Sequence, residues 1–159
     1  MSEGPAAFKL GPGEGTSIQG PVGGPLTLKA TGEDTGGTLT AFENVVAPGE
    51  GPPLHTHAGE DEAWYVLEGE LRFRLGEEIS MAPAGSFVFV PRGIAHSFQN
   101  SGSGPARILV LFTPSGMERF FERFAALPAG SAGPEAFGQI GGELGMQVVG
   151  PPRAVSNPA

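Results

Sequence analysis

GEGPPLHTHAGEDEAWYVLEG, residues 49–69, runs from Gly49 to Gly69 with His55, His57 and Glu62 between them. A second stretch, GSFVFVPRGIAHSFQN at residues 85–100, carries His96. The chain has three histidines, and all three lie in these two stretches. One residue separates His55 from His57, so on an extended strand both imidazoles share a face. Glu62 adds an anionic oxygen after a short turn at Ala58-Gly59. His96 adds a third nitrogen from a neighbouring strand. Three imidazoles and a carboxylate suit a divalent first-row transition metal and are too nitrogen-rich for calcium or magnesium. Four protein ligands in a five- or six-coordinate shell leave open positions, which catalysis requires.

The two stretches resemble the two signature motifs of the cupin superfamily. The first reads Gly-x5-His-x-His-x4-Glu-x6-Gly and is met by Gly49, His55, His57, Glu62 and Gly69. The second reads Gly-x5-Pro-x-Gly-x2-His-x3-Asn and is met by Gly85, Pro91, Gly93, His96 and Asn100. Every position fits, and fixed offsets over so many positions are far more specific than a lone glycine motif. The resemblance extends to single-domain, bacterial quercetinase-like cupins, less specifically through FTPSGMERFFERF. It implies an all-β, double-stranded β-helix (jelly-roll) barrel with a short C-terminal helical extension. It also implies one divalent metal ion, Fe, Mn, Ni, Co, Cu or Zn, on His55, His57, Glu62 and His96. A lone histidine beside Gly and Pro is usually a loop or core residue; the complete set favours metal binding.

Working outward, the 159 residues suggest one domain with a real core. Gly (27) and Pro (16) are abundant, as a turn-rich β protein requires. Leu, Ile, Val and Phe make up about a quarter of the chain, above the disordered range. The net charge of −8 disfavours nucleic acid and anionic membrane surfaces. Cysteine is absent, which excludes disulfides and thiolate ligands. MSEGPAAFKL lacks the basic start and apolar core of a signal peptide, so a cytoplasmic protein is expected.

Residues 1–25 read as an irregular arm with a short strand near Ser17–Gln19. The barrel is expected over 26–113, a helical segment over 114–150 and a frayed tail over 151–159. Thr38–Val46 is rich in β formers. Glu62–Leu67 and Leu71–Leu75 flank a Gly69 turn, which predicts a hairpin. Ile79–Ala82 pairs back on the second of these. Phe87–Val90 is uniformly apolar, which predicts a strand buried on both faces. Ala106–Thr113 is the last barrel strand. Met117, Phe120, Phe121 and Phe124 recur at helical spacing, with Ser115 and Glu118 as a capping box and Pro128 as the stop. A second helix is expected over 134–145 and a strand at Met146–Val149.

Three functions fit such a site. A dioxygenase would act on a small enol or phenol, flavonol-like by resemblance, with Glu62 as the proton acceptor. A non-redox isomerase or lyase would act on a carbonyl compound. A binding module would keep an idle metal. Trp64 and Phe98 lie two residues from Glu62 and His96, so each shares a ligand's face and is a candidate substrate-pocket residue; packing in the barrel is the commoner role for both. Arg72 and Arg74 read as a solvated face. The expected partners are a small-molecule substrate and a second copy of the chain in a homodimer.

Overall fold

The computed structural model describes residues 3–152. Two antiparallel sheets face each other across one core. In chain order the strands are β1 (Thr16–Gln19), β2 (Pro25–Ala30), β3 (Thr40–Val46), β4 (Pro53–His57), β5 (Asp61–Glu68), β6 (Glu70–Leu75), β7 (Glu78–Pro83), β8 (Phe87–Val90), β9 (His96–Gln99), β10 (Ala106–Thr113) and β11 (Met146–Pro152). The helices are α1 (Gly32–Thr35), α2 (Glu118–Ala125) and α3 (Pro134–Glu143). One sheet has the order β1-β2-β3-β10-β5-β8, the other β11-β4-β9-β6-β7. This is the jelly-roll barrel expected from the paired motifs.

Alternation builds the core. Along β10, Ala106, Ile108, Val110 and Phe112 are buried, and the residues between them are half-buried. Leu71 and Phe73 of β6 meet them from the opposite sheet, in one cluster with Trp64 and Val66 of β5.

The expected hairpin across Gly69 does not form. β5 pairs with β10 and β8, whereas β6 pairs with β7 and β9. Gly69 instead turns the chain from one sheet into the other. It has φ +80°, and a Cβ there would press on Ala106 at 3.0 Å. Period-two patterning is the same for strands that pair and for strands that face each other across a core, so sequence could not separate the two. The true hairpin is β6–β7, where Leu75 opposes Glu78 across Gly76-Glu77.

The reading of Phe87–Val90 as buried on both faces is also corrected. β8 is an edge strand, and Phe87 and Phe89 are 65% and 53% exposed. Among the described residues no element covers that outer face. Nor is there a Ser115 capping box on α2. Its N-cap is Met117, without a side-chain hydrogen bond. Glu118 turns away to accept from Thr40 Oγ1, from Gly32 N at 2.8 Å and from Gly116 N at 2.9 Å. The carboxylate thereby ties the start of α2 to β3 and to α1.

Beyond the helices the chain returns to the barrel, where β11 lies on β4 and runs through Pro151 and Pro152, two residues expected in the frayed tail. The rest of that tail, 153–159, lies outside the described residues. No helix among the described residues is long and apolar enough to cross a membrane.

Candidate metal centre

β4 presents His55 and His57 on its inner face, with Thr56 turned the other way. β9 lies beside β4, and His55 is directly opposite His96. Glu62 comes from β5 in the other sheet, so the two sheets close on the cluster from both sides. All four residues are buried, and one ligand atom from each lies within 4.8 Å of the others. Ligands at about 2.1 Å from one ion span about 4 Å, so a small contraction completes the shell.

The histidine tautomers follow from backbone geometry. His55 Nδ1 donates to Pro53 O at 2.7 Å, and His96 Nδ1 donates to Ile94 O at 2.9 Å. A carbonyl only accepts, so both Nδ1 atoms carry hydrogen and both Nε2 atoms are left for a metal. His96 Nε2 is 2.9 Å from Glu62 Oε1. His57 Nε2 is 3.2 Å from the same oxygen, but its alignment is too poor for a hydrogen bond. Both ring nitrogens of His57 are therefore buried without a hydrogen-bond partner. An orphaned imidazole facing a carboxylate and two further imidazoles is the donor set a transition metal completes.

The electrostatics agree. Burial pushes Glu62 up, but the imidazoles of His57 and His96 outweigh it and hold the carboxyl at about 2. Burial, then the neighbouring His96 and His57, lowers His55 to about 3. For His96 burial acts downward, yet the Glu62 carboxylate prevails and its pKa is raised. A proton would therefore compete with a metal more strongly at His96 than at His55.

A cavity reaches this cluster. It is lined by His55, His57 and Glu62, by Trp64 and Phe98, and by apolar side chains including Phe120 and Phe121 of α2 and Phe137 of α3. Its space for the centres of water-sized molecules is about 40 Å³, which is room for only a few waters. None of the described lining residues is Lys or Arg. Arg92 instead pairs with Asp61, and Arg107 with Glu43 and Glu68.

Sequence reading placed the α2 phenylalanines as packing against the barrel. They do pack there, and they also wall the cavity. It missed Asn44, a buried polar lining residue on β3. It also missed Glu60, whose Oε1 is buried 4.0 Å from His57 Nδ1. The only signal for Glu60 was a second acidic residue in the Ala58–Asp61 turn, which the spacing of the motif passes over.

Residues 42–112 match the Cupin domain family model. The tetracenomycin polyketide synthase protein TcmJ of Streptomyces glaucescens is 37% identical over 90 residues, 56% of this chain and 58% of that protein. Mannose-1-phosphate guanylyltransferase 2 of Escherichia coli O157:H7 is 32% identical over 76 residues, 48% of this chain but 16% of that protein. The chain therefore spans less than two thirds of the length of either. Among solved structures, an RmlC-like cupin from Shewanella frigidimarina superposes with a TM-score of 0.61 at 19% identity, covering 74% of this chain and 99% of that one. A predicted oxalate decarboxylase from Thermotoga maritima superposes at 0.55 with 25% identity, covering 57% and 80%.

Proposed function

We propose, for a chain whose residues 42–112 match the Cupin domain family model, a metal-dependent oxygenase acting on a small enol or phenol. The observation that carries this reading is a small apolar cavity ending on three of the four ligands, with an ionised Glu62 in its wall. His55, His57, Glu62 and His96 would hold one divalent transition metal. A bound metal supplies Lewis acidity toward a substrate oxygen and, if redox-active, access to dioxygen. Glu62 meets both imidazoles through Oε1, which leaves Oε2 out of those contacts and available for the hydroxyl proton of the substrate. The aromatic walls keep bulk water from the resulting anion.

The cavity also restricts the substrate. With no lining Lys or Arg, sugar phosphates and small dianions such as oxalate find no side-chain counter-charge there, and only the metal itself would balance them. Sites for drug-sized ligands occupy roughly 300–1,000 Å³, far more than is open here, so a flavonol requires α2 and α3 to move outward. Small enols do not. The test is oxygen uptake by metal-loaded protein over a panel of small 1,3-diketone enols, catechols and flavonols. Uptake is expected with the smaller compounds. No uptake across the panel would favour the isomerase or lyase reading, in which Glu62 moves a proton on a carbonyl compound without oxygen.

Trp64 supports a substrate that brings a hydrogen-bond acceptor. It lines the cavity, is 1% exposed, and its Nε1–H has no partner. A buried donor left unpaired is costly, and a substrate oxygen would relieve it. Trp64→Phe should raise KM ~3–10-fold, the worth of one hydrogen bond, at unchanged metal content. An unchanged KM would rule the contact out.

We also propose a homodimer that covers the outer face of β5 and β8. Phe87 lies opposite Tyr65 and Phe89 opposite Ala63, so exposed aromatic surface is continuous there. β8 leaves one sheet edge free, and a second copy related by a twofold axis can pair with it. Light scattering should give twice the 16.3 kDa chain mass, and Phe89→Glu should return the protein to that single mass. A wild-type monomer at micromolar concentration would contradict this.

A further inference from the structure

We infer that Glu60 is a positioning residue for His57, accepting a hydrogen bond from its Nδ1 when the Nε2 face is engaged by metal. The inference rests on the metal reading above and goes one layer beyond it. The three histidines are not held alike. His55 and His96 each fix Nδ1 on the carbonyl two residues earlier, Pro53 O at 2.7 Å and Ile94 O at 2.9 Å. The carbonyl two residues before His57 is the ligand His55's own, and His57 makes no such bond. Its Nδ1 is fully buried and unpaired.

One acceptor faces it. Glu60 Oε1 is 4.0 Å away, and it is itself buried without a partner. Two orphans of opposite character confronting each other across a gap of this size need an approach of only about 1 Å to form a hydrogen bond. Glu60 sits at the end of the short Ala58–Glu60 link between β4 and β5. A Cβ on Gly59 would meet nothing within 4 Å, so the link has room to make that shift.

The chemistry gives the shift a direction. A metal on Nε2 requires the proton on Nδ1, and it makes that N–H more acidic and a better donor. A carboxylate is the strongest available acceptor for it, and such outer partners fix ring orientation and raise ligand basicity. Glu60 would therefore do for His57 what backbone carbonyls do for the other two.

The test is zinc affinity, measured by competition with a chromophoric chelator on full-length wild type, Glu60→Ala and Glu60→Gln. Glu60→Ala should weaken zinc binding ~10–100-fold. Glu60→Gln, whose amide oxygen still accepts, should recover most of that loss. A second readout is the 15N-histidine spectrum of the zinc-loaded protein. The His57 Nδ1–H resonance should be present and slow to exchange in wild type. It should move or vanish in Glu60→Ala, while those of His55 and His96 stay in place. Glu60→Ala binding zinc within twofold of wild type would overturn the inference, and so would Glu60→Gln falling as far as Glu60→Ala, which would leave only a loss of charge. Wild type that takes up no zinc would overturn the metal reading itself and this inference with it, a result distinguishable from the other two.

Discussion

Glu62→Gln is expected to lose ~10²–10⁴ in turnover with metal in excess, the usual worth of a positioned general base. The substitution keeps the shape of the side chain and one oxygen able to ligate. It removes the ability to take a proton, because an amide is not basic at neutral pH. The low pKa of Glu62 belongs to a carboxylate that both imidazoles stabilise. Once their Nε2 atoms turn to a metal those contacts go, and the positive charge of the ion takes their place in keeping the carboxylate ionised and able to accept a proton. His55→Ala is the comparison. It removes a ligand whose hydrogen bond goes to Pro53 O and not to Glu62, so its loss of turnover should follow its loss of metal and should shrink as metal is added. If saturating metal restored Glu62→Gln fully, Glu62 would be a ligand and not a base.

Glu118→Ala is expected to destabilise the fold by ~3 kcal/mol, with Thr40 Oγ1 and Gly32 N losing their acceptor at ~1–3 kcal/mol each, Gly116 N keeping Thr40 Oγ1 at 3.1 Å, and water reclaiming part of the loss. In a chain of this size that is a fall in melting temperature of roughly 6–12 °C. The donors are Thr40 Oγ1 and the amides of Gly32 and Gly116. Burial pushes Glu118 up, but these hydrogen bonds outweigh it and its carboxyl is held below the ordinary value of 4.5. The stabilisation from that shift is therefore present above pH ~4.5 and is lost as pH falls through the lower folded value. Glu118→Gln should flatten this acid limb and cost less than Ala at neutral pH. The consequence for function is direct, because α2 carries Phe120 and Phe121 to the cavity wall. Loosening its start should make larger phenols better substrates relative to small ones. Thermal melts of Glu118→Ala that match wild type from pH 4 to pH 7 would refute the anchoring role.

The candidate metal cluster was legible because its information is local. His55 and His57 share a face by strand periodicity alone, and the glycine frames place the β4–β5 turn that brings Glu62 back over them. His96 was legible only through the second frame, since nothing in residues 58–95 says that β9 will lie beside β4. The cross-sheet step at Gly69 was not legible. Leu71, Phe73 and Leu75 alternate identically whether β6 pairs with β5 or faces it across the core. The exposed β8 was misread for a related reason. Phe87, Val88, Phe89 and Val90 are all apolar, and composition cannot say that the partner on one face is missing. Glu118 looked like a helix cap because Ser115 precedes it by three residues. Its real partners, Gly32 and Thr40, are distant in sequence and become neighbours only when β3 and α2 pack.

The central claim is that His55, His57, Glu62 and His96 hold one divalent transition metal. Elemental analysis of purified protein, followed by titration with Fe, Mn, Ni, Co, Cu and Zn, tests it most directly. About one ion per chain is predicted. It should be lost below roughly pH 5 as imidazole protons displace it. Above that, where the raised His96 pKa lets a single proton compete, affinity should drop about tenfold for each unit by which the pH is lowered. His55, held near 3, adds no second proton in that range. His55→Ala and His96→Ala should each leave the purified protein well short of one ion per chain, with loading recovered only at excess metal. Protein that carries no metal and takes up none of the six ions, or that binds as well without His55 and His96, would contradict the account.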